Sequence, residues 1–516
     1  MHDLDDRPGD PVTTETWLGA PALSYARRPA TVLDVLDRAV RRWPDAPAFR
    51  APDGTTVSYR EFAGLVEQAA ASLTARGLQP GDAVAVAAGN TLELATALYG
   101  CARARLVMVG LNTRLVPAQW DYMVEAMHCR LLLAQDRYPL RGAEPLGSVL
   151  AEATARPWAY SEADQPDPAS TYAVVFTSGT TGRPKASQVV HRASVHSAMS
   201  YQRVLQLTPG ETTAVLFPLY YISAQHAHVL PAMLAGASCL LLDAPTPRDY
   251  VEALHRHDIS WAYAVPSWWR LCLRVDRLRE LTGLRRLAAG GAPFGPELEA
   301  GLRACLPGTR LYDVYGLSET HSPATILRDE EFADHPGSVG RPLDCMQAQI
   351  RDEAGNALVP GQPGQLWLRG SLVTTGYARD PDATREAIVD GWFDTGDIAR
   401  ADADGFLWIL DRSKDMINRG GTKIFSAELE ELLRRHPAVR DAAVVGIPDA
   451  TAGEAVAAFL VVESPVTPAE IRSWVREGMA DYAAPKVVDV LAELPQTSVG
   501  KTDKVALRAL VSHLVR

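Results

Sequence analysis

The sequence predicts an α/β protein: a large N-terminal domain of packed β-sheets with flanking helices, and a small α+β domain at the C-terminal end. Three observations predict it. A chain of 516 residues exceeds one compact core. Short β-branched or apolar runs alternate with helical patterns for most of its length, as parallel sheets wrapped by helices require. After about Asp411 the texture changes to a few helices and short strands, enough for a separate small domain.

Taken in order, Ala83-Val84-Ala85-Val86 reads as a strand and Leu92 to Arg103 as a helix by its periodicity. Leu106 to Val109, Val174 to Phe176, Ala214 to Leu216, Leu240 to Leu242 and Trp261 to Val265 read as further strands. Pro157 to Ser170 is polar and Pro-rich, an exposed loop. In the last hundred or so residues, Ser426 to Arg435 and Pro468 to Met479 read as helices, Ala442 to Val445 and Ala455 to Val462 as strands.

Composition narrows the function. Apolar residues are 47% and charged residues 22%, as in globular chains, and the net charge of -11 steers toward neither nucleic acid nor anionic membrane. The acidic start Met1-His2-Asp3-Leu4-Asp5-Asp6 lacks the apolar core of a secretory signal. Pro218, Gln225, His226, His228 and Pro231 interrupt the most apolar stretch, Ala214 to Leu242, so it reads as a buried strand-helix-strand and not a membrane span. Six scattered cysteines without a C-x-x-C pair fit reduced thiols in a cytoplasm. His226-x-His228 and His255-x-His257 have no third ligand at zinc spacing and read as structural or surface histidines.

One string carries chemistry. Phe176-Thr177-Ser178-Gly179-Thr180-Thr181-Gly182-Arg183-Pro184-Lys185 follows a strand. Its glycines permit close backbone approach, successive N–H groups and hydroxyls can line an anion site, and Lys185 adds a positive charge. It is not a Walker loop, which needs Gly-Lys-Ser/Thr at a different offset.

This string resembles the signature of the adenylate-forming superfamily of acyl-CoA synthetases, peptide-synthetase adenylation domains and luciferases. Six further segments resemble that family's motifs in its order: Gly290-Gly291-Ala292-Pro293, Asp313 through Glu319, Gly391 through Asp397, Asp411 through Asp415, Gly420-Gly421 through Glu428, and Pro495 through Lys501. The resemblance implies domain 1–410 for ATP and acid, a hinge 411–414 and a mobile lid 415–516. It implies ATP, Mg²⁺ and coenzyme A as cofactors, and a carboxylic acid activated through an acyl-AMP.

Residue by residue, the resemblance implies that Thr177, Ser178, Gly179, Thr180, Thr181 and Gly182 cradle phosphate with Lys185. Gly291, Ala292 and Pro293 border the adenine, Asp313 meets its edge, and Tyr315 stacks on it. Ser318 offers its hydroxyl to the α-phosphate, and Glu319 is the Mg²⁺ ligand, a hard oxygen for a hard ion. Asp397 accepts the ribose hydroxyls and Arg412 reinforces them. Lys501 bridges substrate carboxylate and α-phosphate as a point charge. Lys414 is the pivot that swings Lys501 away before thiol attack, bringing Gly420, Gly421 and Lys423 toward coenzyme A. Lys504 reads as surface. Tyr221, Ser223, Gly290 and Gly316 border the acyl group.

The sequence departs from the common family residues at Ala186, Tyr221, Asp313 and Ser318. No required charge is lost. With Tyr220, Tyr221, Ile222, Ser223 and Ala224 near the acyl site and no carboxylate among them, an apolar aliphatic, aromatic or polycyclic acid is expected over an α-amino acid. Trp268 and Trp269 read first as core and second as apolar wall. No carrier-protein domain is expected after Arg516, so coenzyme A is the first acceptor and a free carrier protein the second. Two alternatives stay open: an enzyme running one half-reaction only, such as thioester formation from a supplied adenylate, and a non-catalytic nucleotide or acyl sensor.

Overall fold

The computed structural model describes residues 11–152, 165–177, 184–449, 451–497 and 502–511. The chain forms two compact units, Met1–Ala348 with Trp367–Phe393, and Gln349–Leu366 with Asp394–Arg516. The expected boundary at Leu410 falls inside the second unit. The second unit takes up Asp394 onward because the strand Trp392–Ala401 pairs antiparallel with Leu407–Arg412, which places Asp397 opposite Arg412.

In the first unit a nine-stranded sheet runs Arg341–Pro342, Thr325–Leu327, Arg310–Tyr315, Arg286–Gly290, Ile259–Ala264, Thr212–Val215, Ser238–Leu241, Pro47–Arg50, Thr56–Ser58. Its central strands are parallel. The C-terminal ends of Thr212–Val215, Ile259–Ala264, Arg286–Gly290 and Arg310–Tyr315 therefore share one edge, where open parallel sheets place ligands. A six-stranded sheet carries the hairpin Thr171–Thr177 and Lys185–Val190, with Lys185 opposite Thr177. The Ala214 to Leu242 stretch is a strand-helix-strand, as its composition requires. A one-turn π-helix, Gln225–Val229, lies within it.

The helix His191–Leu205 is buried on nearly every side despite its polar residues. Several of its polar groups find partners: His196 Nε2 with Ser24 Oγ at 3.0 Å, Ser194 Oγ with Tyr172 Oη at 3.0 Å, Ser200 Oγ with Tyr25 Oη at 2.9 Å. That satisfaction is what lets polar side chains sit in a core. His226 and His228 are core residues as well, each held through Nδ1. Trp269 is fully buried and donates its indole N–H to the Ala288 carbonyl at 2.8 Å, so it packs as core.

The second unit has a five-stranded sheet containing Thr422–Ile424, Ile417–Arg419, Gly453–Val462, Val439–Asp449 and Val487–Val490. The helices Ser426–Arg434 and Pro468–Gly478 supply Leu429, Leu433, Ile471 and Val475 to its core. No described helix is long and apolar enough to cross a membrane.

Candidate active site

In the first unit, three segments far apart in sequence meet at one carboxylate. Glu319 lies in the single turn Ser318–Thr320 after the strand Arg310–Tyr315 and is 6% exposed. Its Oε1 accepts from Tyr377 Oη at 3.0 Å and from Thr177 Oγ1 at 3.4 Å. Lys185 Nζ stands 5.1 Å from the centre of the Tyr377 ring. A carboxylate held by two hydroxyls beside an ammonium is a ready site for hard cations and phosphate.

Backbone pairing fixes this grouping. Gln188 N–H donates to the Gly376 carbonyl at 3.0 Å and Ala378 N–H to the Ala186 carbonyl at 2.8 Å, which lays Tyr377 against the hairpin. Thr374 N–H donates to the Glu319 carbonyl at 2.7 Å. His321 sits at positive φ beyond the turn. Its Nε2 accepts from Val190 N–H at 3.0 Å, so Nδ1 carries the proton and donates to the Leu372 carbonyl at 2.9 Å. Burial holds this imidazole neutral. Ala186, where the family often has glycine, packs its methyl into the core beside Ala378.

Gly290 and Val314 pair across adjacent strands, so the Gly290–Pro293 turn and the Asp313–Glu319 segment leave the sheet together. Both glycines are forced by space. A Cβ on Gly290 would lie 2.4 Å from the Val314 carbonyl oxygen, and one on Gly316 1.5 Å from that of Ser322. Gly291 has φ +80°, while Ala292 and Pro293 are exposed. Tyr315, at the strand end, and Ser318 are half-buried. Asp313 is buried; desolvation pushes its carboxyl up to about 8, opposed by the Val314 N–H.

Tyr221 precedes the short helix containing Ser223. Its ring packs edge-on against Tyr220, 4.8 Å between centres, and its hydroxyl is buried with no protein partner among the described residues. Burial pushes the phenol pKa up, with the positive charge of Arg114 opposing.

The second unit carries another group. Arg412 Nε pairs with Asp397 Oδ1 at 2.7 Å. Gly420 and Gly421, at φ +60° and +88°, form the two-residue turn between Ile417–Arg419 and Thr422–Ile424, a conformation that favours glycine at both positions. Lys423 is half-exposed and pairs with Glu353 at 2.9 Å. Lys414 follows Arg412 in a turn closed by Asp415 N–H to the Arg412 carbonyl at 2.9 Å. Lys504 is not a free surface charge: its side chain is 17% exposed and pairs with Glu430 at 2.8 Å. Ser178, Gly179, Thr180, Thr181, Gly182 and Lys501 lie outside the described residues.

A family model described as AMP-binding enzyme matches residues 36–378. The chain belongs to the AMP-binding enzyme family. A model of the AMP-binding enzyme C-terminal domain matches residues 428–501. The chain is 31% identical over 479 residues to a feruloyl-CoA synthase of an Amycolatopsis species, covering 91% of this chain and 97% of the relative. It is 32% identical over 443 residues to the 2-succinylbenzoate–CoA ligase of Bacillus licheniformis, covering 84% and 91%. The o-succinylbenzoate coenzyme A synthetase of Bacillus subtilis, solved with its acyl-adenylate, aligns with a TM-score of 0.83 at 27% identity over 92% of this chain and 97% of that one.

Within this family member, Tyr377 is the site residue that the sequence motifs miss. Its only local signal is the string Thr374-Thr375-Gly376-Tyr377, and its contact with Glu319 spans 58 positions.

The burial of Asp313 generates a pH prediction. Its folded-state pKa of about 8 lies above its ordinary value of 3.8, so folding holds a proton that the unfolded chain releases. Stability linked to that proton is complete below pH 4 and is lost as pH rises toward 8. Asp313→Asn removes this cost. In the unliganded protein the melting temperature of Asp313→Asn, relative to wild type, should therefore climb between pH 5 and pH 8. A difference independent of pH over that range would contradict the assignment.

Proposed function

We propose that this chain is an ATP-dependent carboxylic acid–CoA ligase, with the acyl-AMP formed at the edge of the nine-stranded sheet. The observation that carries the reading is the convergence of Thr177, Lys185, Glu319 and Tyr377 at the foot of the Thr171–Val190 hairpin. In the first step an acid oxygen bonds to the α-phosphorus and the bond to pyrophosphate breaks. In the second a thiol sulfur bonds to the acyl carbon, its proton leaves, and AMP departs.

Both partners of the first step are anions, so the site must neutralise charge where it builds. Glu319 and its neighbouring hydroxyls fit Mg²⁺, which would supply that neutralisation at the phosphates. The Bacillus subtilis relative has been solved with ATP and magnesium ion, with a TM-score of 0.84 at 27% identity over 93% of this chain and 99% of that one. Lys185 supplies a fixed positive charge beside Glu319, and Lys501 a second at the reacting oxygens. Gly291, Ala292, Pro293, Asp313 and Tyr315 form the adenine side; near neutral pH Asp313 stays largely protonated, so it can donate as well as accept. Thr177 through Gly182 and Ser318 take the phosphates. Asp397, already oriented by Arg412, takes the ribose hydroxyls. Lys414 is the pivot, and Gly420, Gly421 and Lys423 face coenzyme A in the second step.

The acid is apolar and aliphatic, aromatic or polycyclic, lying against Tyr221, Ser223, Gly290 and Gly316. Tyr221 packs against Tyr220, whose hydroxyl meets Thr113 and Asn112, and it feels the positive charge of Arg114. Among these described residues, none offers a counter-charge to an α-ammonium.

Two outcomes test this reading. With ATP, Mg²⁺ and coenzyme A, mass spectrometry should detect acyl-CoA and AMP from apolar carboxylic acids, at rates above those for any proteinogenic amino acid; an amino-acid preference would overturn the acyl-site assignment. Lys501→Ala should slow adenylation by roughly 10²–10³-fold, the scale of one lost electrostatic stabiliser, and spare thioester formation from supplied acyl-AMP. Equal loss in both half-reactions would remove Lys501 from the first step.

A further inference from the structure

The helix Lys504–Val511 begins three residues after Lys501. Gln496 and Thr502 bridge as a strand pair, and Asp503 N–H donates to the Pro495 carbonyl at 2.8 Å. Gln496 and Thr502–Asp503 are thus paired at the helix N-terminus.

Leu507 and Val511 pack it onto the strands Val439–Asp449 and Gly453–Val462, and two polar side chains, four residues apart and so on one face, tie it to the hinge. Lys504 Nζ donates to Ser426 Oγ at 2.7 Å and pairs with Glu430 Oε1 at 2.8 Å. Ser426 is fully buried and opens the helix Ser426–Arg434. Its backbone N–H and hydroxyl both donate to the Asp411 carboxylate, the hydroxyl at 3.0 Å. Arg508 Nη2 donates to Asp415 Oδ1 at 2.7 Å and to the Lys414 carbonyl at 3.3 Å. Burial pushes Asp411 up to about 6, and Lys504 and Ser426 oppose that shift by favouring the anion. Apart from the exposed Lys414, each residue in this chain of contacts is buried or half-buried, where hydrogen bonds to charged groups count for more than at the surface.

We propose that Lys504 and Arg508 are positioning residues that clamp the helix Lys504–Val511 to the hinge Asp411–Asp415 and so select one setting of the pivot. The inference rests on the ligase reading with its pivot at Lys414. Asp411 precedes the pivot and Ser426 follows it, so the Asp411–Ser426–Lys504 contacts span the torsions that must change. Arg508 grips the carbonyl of the pivot residue itself. Rotation about Lys414 has to release one contact or the other, and the clamp weights the enzyme toward the half-reaction served by the present setting. Such a bias needs only a differential stabilisation of one setting.

The full-length chain tests this through Lys504→Met, Arg508→Met and the conservative Lys504→Arg. Adenylation and thioester formation from synthetic acyl-AMP are measured separately, and tryptic cleavage after Lys414 is timed by mass spectrometry as a readout independent of catalysis. The methionine variants should change the ratio of the two half-reaction rates by about fivefold or more and accelerate cleavage after Lys414. Lys504→Arg should restore both. Parallel changes in the two half-reactions, or cleavage at the wild-type rate, would overturn the clamp. A wild-type chain inert in both half-reactions would instead remove the ligase reading, and hinge cleavage then decides the clamp alone.

Discussion

Glu319 is a carboxylate almost removed from water, and a charge in that position requires donors on all the surfaces that enclose it. Tyr377 and Thr177 supply two of them. Their presence dictates much of the first unit. The hairpin must bring Thr177 opposite Lys185, the 374–378 segment must pair with that hairpin, and the turn after the Asp313 strand must point its side chain into the angle between them. His321 and the packing forced at Gly316 hold that turn. The same enclosure that costs desolvation holds the carboxylate against Tyr377, over whose ring Lys185 stands, where the proposed reading puts a polyphosphate and its cation.

The second unit solves a different problem. In the proposed reading its Asp397 and Arg412 lie next to a pivot at Lys414, so they cannot be held by a rigid core alone. Asp397 and Arg412 are locked by strand register. Beyond them, ionic and hydrogen-bonded contacts to Ser426, Lys504 and Arg508 are added to the apolar packing of Leu507 and Val511. Contacts of this kind can be broken and remade without opening a cavity, which an interlocked apolar core does not permit.

The residues legible in the sequence are those whose chemistry is local. The helix Leu92–Arg103 and the strands around Ala83 and Val174 follow from periodicity and β-branched runs. The phosphate string, Asp313 through Glu319 and the Gly420-Gly421 turn are legible as contiguous motifs. What escaped reading depends on distant partners. Tyr377 is an ordinary tyrosine until the fold brings it to Glu319. Lys504 reads as solvated because nothing nearby announces Glu430 on another helix. His191–Leu205 lacks an apolar stripe because Ser194, His196 and Ser200 find hydrogen-bond partners on distant segments inside the core. The unit boundary is hidden because Gln349–Leu366 joins residues much later in the chain.

The central claim is that Glu319, held by Tyr377, is the metal-binding carboxylate of the adenylation step. The most direct test is the Mg²⁺ dependence of acid-dependent ATP–pyrophosphate exchange in wild type, Glu319→Gln and Tyr377→Phe. Tyr377→Phe keeps the ring under Lys185 and removes only the hydroxyl that donates to Glu319. The account predicts a loss of roughly 10²–10³-fold in Glu319→Gln. In Tyr377→Phe it predicts a smaller loss together with a shift in the Mg²⁺ concentration that gives half-maximal rate. A wild-type Mg²⁺ profile and rate in both variants would contradict it.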